Sequence, residues 1–266
     1  GHCLPLQIEK LGASGLELWL SSLCWGAERV VLLGHQQVPE SIISALDKEV
    51  DTARRVLQGL GSRQIIERID IDELQGRDVW QRGDVARAEL NAHASRKTET
   101  LMDGIDLSAE YDKRGQITAA TTQLYWQSDF ASQADTNQSV ELASGAPFGD
   151  LVLDAADCLL CMSCVSICPT KALTSGGDLP SLNFTEQDCV QCGLCVQACP
   201  EKVLSLRPQY QLNPSLRQQP QLLKQEDPFC CIRCDKAFAT QGMVNMMLQR
   251  LSGHSMFAGD ALQRLK

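Results

Sequence analysis

Asp157-Cys158-Leu159-Leu160-Cys161-Met162-Ser163-Cys164-Val165-Ser166-Ile167-Cys168-Pro169 is answered by Asp188-Cys189-Val190-Gln191-Cys192-Gly193-Leu194-Cys195-Val196-Gln197-Ala198-Cys199-Pro200, at an offset of 31 residues. Both runs read Cys-x2-Cys-x2-Cys-x3-Cys-Pro, and the repeat extends to Lys171/Lys202 and Leu173/Leu204. This is an internal duplication, which predicts a pseudo-two-fold domain. Three cysteines at two-residue gaps wrap a tight loop around one [4Fe–4S] cubane and present three thiolates, while backbone N–H groups of the loop face the sulfurs. A fourth cysteine three residues on, followed by proline, is carried away on a short helix; in the two-cluster arrangement it ligates the other cluster. The expected sets are therefore Cys158, Cys161, Cys164 and Cys199 for one cluster, and Cys189, Cys192, Cys195 and Cys168 for the second. Two zinc sites are the poorer reading, because zinc prefers paired Cys-x2-Cys knuckles separated by a longer loop.

Short strands are expected around these loops. Leu151-Val152-Leu153 and Leu182-Asn183-Phe184 stand 31 residues apart. Leu204-Ser205-Leu206 is expected to pair with the first of them, and Gly176-Gly177-Asp178 supplies the turn between the halves. So small a domain has little apolar surface of its own, so bound clusters should contribute much of its folding energy.

Working outward, residues 1–72 read as a partial α/β docking domain. Leu4 to Lys10 alternates like a strand, Gly12-Ala13-Ser14-Gly15 is a turn, and a helix is expected from Leu16 to about Trp25. Arg29 to Leu33 is a short buried strand. A helix entered at Pro39 carries Ile42, Ile43, Leu46, Val50, Ala53, Leu57 and Leu60 on one face and stops at Gly61. Ile65 to Ile69 is the next strand, and alternation of strand and helix implies parallel pairing. Residues 73–145 read as a helical and irregular connector, with a helix over Asp78 to Lys97 and a polar stretch without clear period from Thr98. After the repeat unit of 146–207, residues 208–229 are rich in Gln and Pro and read as a linker. The tail, 230–266, opens on Cys230-Cys231-Ile232-Arg233-Cys234. A helix from about Gln241 follows, striped by Met243, Val244, Met247, Leu248 and Leu251 and ended by Gly253.

Bulk properties limit the function. The balance of 24 basic against 33 acidic residues gives a net charge of −9. Nucleic-acid binders need a basic surface to replace counterions, so that class is disfavoured. The balance is compatible with docking onto a positively charged protein partner, and equally with acidity that merely keeps the protein soluble. Of 13 cysteines, eleven crowd into residues 158–234. Such clustering is metal-ligand spacing rather than a disulfide framework, and it belongs to a reducing compartment. No apolar run reaches the roughly 18–20 residues that span a bilayer, and no basic-then-apolar leader is present. A cytoplasmic protein is the expectation. The chain begins at Gly1 rather than methionine, which reads as a fragment or a processed chain.

Weaker signals remain. Cys231-x2-Cys234 looks like half of a zinc knuckle, to be completed beyond the chain or by Cys230 and His254 in an irregular site; bare thiols are the alternative. Gly12-x-x-Gly15 lacks the full dinucleotide fingerprint and reads as a packing turn. His35 follows a strand end, where it reads as a hydrogen-bonded structural residue. Cys3 and Cys24 read as small buried residues, and Trp19 and Trp25 as core. No nucleophile–histidine–carboxylate set stands out, so no catalytic residue is assigned.

At its two cysteine runs the chain resembles a bacterial-type 2[4Fe–4S] ferredoxin, over about a quarter of its length and at all eight ligand positions. The whole chain further resembles multidomain 4Fe–4S binding proteins of bacterial redox operons, through Gly145-Ala146-Pro147-Phe148-Gly149 and through Cys231-Ile232-Arg233-Cys234 with the helix after it. That resemblance implies a second Cys-x2-Cys just past the present end. Trp25-Gly26-Ala27-Glu28-Arg29-Val30-Val31-Leu32-Leu33-Gly34 is similar to delta-type iron–sulfur subunits of hydrogenase–heterodisulfide reductase systems. Cys3 and Cys24 are too few to carry over the [2Fe–2S] cluster of those subunits. The expected fold class is α+β: a 2[4Fe–4S] bacterial ferredoxin-like domain preceded by a partial α/β (parallel sheet) domain, with a small C-terminal Cys-x2-Cys helical segment. The expected function is electron transfer through two [4Fe–4S] clusters to or from an oxidoreductase of formate dehydrogenase or hydrogenase type. The chain would be a carrier or subunit rather than a stand-alone enzyme. The rival is a non-catalytic iron–sulfur adaptor or redox-sensing accessory protein.

Overall fold

Leu16, Trp19, Leu20 and Leu23 fall on one stripe at helical spacing and are all buried; they define α1 (Leu16–Cys24). The computed structural model describes residues 6, 8–34, 38–70, 112–132, 137–177 and 179–252. The chain divides into two compact units, one made of Gly1–Ala146 with Leu212–Pro214, the other of Pro147–Gln211 with Ser215–Lys266.

In the first unit, β1 (Arg29–Gly34) and β2 (Ile65–Asp70) pair in parallel, with Arg29 opposite Ile65 and Gly34 opposite Asp70. Between them runs α2 (Glu40–Gly59), entered at Pro39 with Glu40 in its first turn, where a carboxylate suits the helix dipole. Leu46, Val50, Ala53, Val56 and Leu57 are buried along it. Burial of each such leucine is worth about 2 kcal/mol. Both helices stop by the same device. Gly61 takes φ +65° and Gly26 φ +97°, a left-handed turn that glycine adopts without strain. The N–H groups of Gly61 and Ser62 then turn back to Gln58 O and Leu57 O, and those of Gly26 and Ala27 to Leu23 O and Ser22 O. Gln64 Nε2 donates to Leu23 O and Ala27 O, both at 2.9 Å, tying the approach to β2 onto the end of α1.

Four expectations are corrected here. Leu6 and Ile8 to Lys10 form no strand, and Leu6 and Ile8 are exposed, so their alternation has no face to bury. Trp25 is 61% exposed because α1 ends at Cys24 and the Gly26 turn carries it off the buried stripe. The part of the connector from Thr98, read as polar and without clear period, contains α3 (Lys113–Gln127), capped by Asp112, whose Oδ1 accepts from Gly115 N at 2.7 Å. Its buried face is Ala120, Thr121, Leu124 and Tyr125. A face half made of Ala and Thr leaves little apolar period to read. A short strand, β3 (Ser139–Glu141), follows. The helix expected over 78–97 lies outside the described residues. The fourth correction is the linker at 208–229, which is structured throughout, as the second unit shows.

That second unit is built on the duplication. β4 (Gly149–Leu153) pairs antiparallel with β7 (Leu204–Gln211), and β5 (Leu173–Ser175) with β6 (Ser181–Phe184). The pairs correspond position for position under the 31-residue offset. Leu153↔Leu204 matches Phe184↔Leu173, and Leu151↔Leu206 matches Leu182↔Ser175. Each ladder thus joins one strand from each half. The helices α4 (Ser163–Ile167) and α5 (Leu194–Ala198) follow the cysteine loops. A core of Leu151, Leu160, Ala172, Leu173, Leu182, Phe184 and Leu204 lies beneath the cysteines. Beyond it, α6 (Pro214–Gln218) leads into β8 (Gln221–Gln225), which joins β6 as a third strand. Then β9 (Pro228–Cys230) and β10 (Ala237–Thr240) form a hairpin, and α7 (Gln241–Ser252) closes the described chain.

Candidate metal centre

The cysteine loops depend on left-handed residues that recur with the repeat. Leu160 and Gln191 both have φ +53°, Met162 and Gly193 +59° and +76°, and Lys171 and Lys202 +58° and +55°. This explains the lysines that recur in sequence: each closes the turn after Cys-Pro, its N–H returning to Cys168 O at 3.4 Å or Cys199 O at 3.3 Å. The turns draw N–H groups inward, toward the sulfurs.

The structure brings the fourth cysteine of each run to the other run. Cys158 sits in the electrostatic neighbourhood of Cys161 and Cys199, and Cys164 in that of Cys161, Cys158 and Cys195. Cys195 neighbours Cys189, Cys192 and Cys168. A cavity is walled by Cys158, Cys161, Cys164 and Cys199 and floored by Leu182 and Leu204. Four thiols around an apolar-floored cavity suit a [4Fe–4S] cubane, whose irons take thiolate ligands. Among the described residues, no three Cys, His, Asp or Glu side chains are gathered tightly enough to hold a single metal ion.

Without metal, Cys158, Cys164 and Cys195 resist ionisation. Burial pushes Cys164 and Cys195 each up to about 11, and it raises Cys158 as well. At Cys168 burial is outweighed by the N–H groups of Leu173, Thr170 and Ala172 and the Thr170 hydroxyl, and the thiol is held down. Metal must therefore displace protons to bind.

Two neighbours of the loops were not read from the sequence. Gln191 Nε2 donates to Cys189 Sγ at 3.4 Å and to Asp150 O at 3.0 Å. Gly149 permits this: a Cβ there would lie 2.6 Å from the Gln191 amide carbon and 2.4 Å from Arg207 O. Lys224, on β8, donates to Ala155 O at 2.7 Å and Cys158 O at 2.5 Å, and pairs with Glu226 at 2.8 Å. Its charge works against the burial that raises Cys158. No signal marks a single lysine in a Gln- and Pro-rich stretch, whereas Gln191, inside the motif, occupies a variable x position.

At the C-terminal hairpin, Cys231 N donates to Lys236 O at 2.9 Å and Asp235 N to Cys231 O at 2.8 Å, with Asp235 left-handed at φ +55°. The N–H groups of Arg233 and Cys234, and the Cys234 thiol, hold the Cys231 thiol below its usual range. Cys231 and Cys234 therefore come together on one tight knuckle. Cys230 lies apart on β9, its Sγ 3.9 Å from Pro228 O. His254, Cys3 and His35 fall outside the described residues. Cys24 Sγ donates to Ala120 O at 3.3 Å, and burial pushes this thiol up to about 12. Gly12 lies within a 3-10 turn (Leu11–Ala13) and Gly15 is the N-cap of α1, and a Cβ on Gly12 would lie 3.1 Å from Ile42 Cγ2. Close packing accounts for that glycine. No described helix is long and apolar enough to cross a membrane.

Residues 157–203 match the family model of the 4Fe-4S dicluster domain. The comparison with curated proteins gave no match. With the repeated loops and converging thiols, this match identifies 157–203 as a ferredoxin-like iron–sulfur domain suited to 4Fe–4S cluster binding, a chemistry of electron transfer in general.

Proposed function

We propose that the chain carries two [4Fe–4S] clusters and relays single electrons to or from an oxidoreductase partner of formate dehydrogenase or hydrogenase type. The observation that supports this most directly is the exchange of fourth cysteines: Cys199 stands with Cys158 and Cys161, and Cys168 with Cys195. In this reading Cys158, Cys161, Cys164 and Cys199 hold the first cluster, and Cys189, Cys192, Cys195 and Cys168 the second. Bound clusters supply one-electron chemistry at low potential. The protein's share is to present thiolates, aim backbone N–H groups at the sulfurs and exclude water with the leucine floor.

The first unit serves as the partner-docking part, in keeping with its likeness to hydrogenase delta-type subunits, and the relay works in the cytoplasm. The Cys231–Cys234 knuckle is half of a zinc site whose other ligands lie outside the described residues. Zinc analysis of the native protein against Cys231→Ser tests this, with loss of bound zinc expected in the variant.

Anaerobic purification with iron and sulfide analysis, followed by EPR of the dithionite-reduced protein, tests the central reading. About eight irons per chain, with the broadened spectrum of two interacting reduced cubanes, is the expected result. Zinc in place of iron, or clusters that accept no electron, would overturn it. The size of the first unit, which spans residues up to Ala146, favours a second reading as an iron–sulfur adaptor. Redox-inert clusters with partner binding that depends only on their presence would select that reading.

A further inference from the structure

The duplication makes the two cysteine loops alike, so what distinguishes the sites is what the rest of the chain brings to each. At the second loop the group on a cysteine sulfur is the loop's own neutral amide, Gln191, bonded to Cys189 Sγ and to the carbonyl of Asp150, whose carboxylate is paired with Arg207. At the first the rest of the chain adds an ammonium. Lys224 directs three hydrogen bonds to Ala155 O, Cys158 O and Glu226 Oε1, so its three donors are all engaged and its position is fixed. Its side chain is only 12% exposed, which limits screening by water and salt. Strand β8 sets it there, since Lys224 pairs with Leu182 of β6. Glu226 is itself fixed by Gly242 N at 3.2 Å. Nearby, Thr240 Oγ1 donates to Leu159 O at 3.3 Å, and Arg250 pairs with Glu201, two residues past Cys199. The C-terminal segment thus brings fixed charge to the first loop in particular.

We infer that Lys224 sets the reduction potential of the cluster held by Cys158, Cys161, Cys164 and Cys199, and so makes the two clusters inequivalent. The inference rests on the two-cluster reading above. Reduction adds one negative charge to a cluster, and a fixed cation at the backbone of its first ligand stabilises the reduced form more than the oxidised one. Glu226 opposes part of this effect. Lys224 is therefore a positioning residue for charge, not a ligand.

The test is an EPR-monitored redox titration of the whole protein, reconstituted anaerobically, with Lys224→Gln, Lys224→Arg and Glu226→Gln. Lys224→Gln should lower one midpoint and leave the other in place. A tenfold fall in the reduced-to-oxidised ratio at fixed potential corresponds to about 59 mV for a one-electron couple. Lys224→Arg should keep the native value, and Glu226→Gln should move the same midpoint upward. Opposite shifts at one cluster cannot come from loss of a clamp, since both variants break the same ion pair. Midpoints unchanged in both variants, or both clusters moving together, overturn the inference. If Lys224→Gln loses iron, the sign of the shift in Glu226→Gln decides alone. Failure of the two-cluster reading is separate: the unaltered protein would then lack two reducible signals before any variant is compared.

Discussion

Single residues carry two sharp expectations. If ligation crosses as proposed, Cys199→Ser and Cys158→Ser remove the same EPR signal although they lie in different runs. Cys199→Ser and Cys189→Ser remove different ones, and each variant should retain about four of eight irons. Matching signals for Cys199→Ser and Cys189→Ser would instead assign each run its own cluster. Cys24 behaves as an inert thiol. Burial raises its folded pKa from the ordinary thiol value of 9.0 to about 12, so only the unfolded chain ionises between those values. Stability from Cys24 is thus complete below pH 9 and is lost as pH climbs toward 12. Native protein at pH 8 should leave Cys24 unalkylated by iodoacetamide while denatured protein reacts, as peptide mass spectrometry would show. At this scale the sequence was a good guide to cysteines and a poor one to their neighbours. Spacing names a ligand, but Lys224 reaches Cys158 across 66 residues of chain, and nothing local announces that.

Among the elements, the helices that follow the loops test the repeat energetically. Gly193, at φ +76°, begins α5, while Met162, at +59°, begins α4 at the equivalent point. A side chain in this conformation costs about 1 kcal/mol or more. The space beside Gly193 is open apart from Leu206 Cδ1 at 3.7 Å, so the backbone alone decides. Gly193→Ala should lower the temperature of cluster loss by several degrees, and Met162→Gly should move it the other way by less, because glycine also loosens the unfolded chain. Visible absorbance during heating reads both. The elements legible in sequence were those with strong apolar stripes or glycine stops: α1, α2, β1, β2 and the repeat strands. Helix α3 hid because Ala and Thr make up half of its buried face. Strand β8 hid because Gln and Pro composition masks a pairing that only β6 supplies, far away in sequence.

For the whole molecule, the two units should answer to different stresses. Trp19, Trp25, Trp80 and Trp126 all precede Ala146, so tryptophan emission reports the first unit alone, while cluster absorbance reports the second. Removing iron with a chelator under mild oxidation should abolish the absorbance and leave the emission maximum where it was, because Trp19 on α1 is buried in the first unit, away from the cysteine loops in sequence. A shift of emission in step with absorbance would mean that the units unfold as one. The resemblance at the cysteine runs indicated the chemistry of residues 157–203 but not the architecture beyond 207, where strand pairing rather than composition decides. The exchange of fourth cysteines between runs has a consequence for synthesis on the ribosome. With the crossed sets proposed above, a chain that has emerged only as far as Cys168 displays three thiols of the first set and one of the second; the second is whole only once Cys195 has followed, and the first only once Cys199 has. Cofactor insertion is thereby deferred until both halves exist, and a transcript cut short between them yields a product that can hold no complete site.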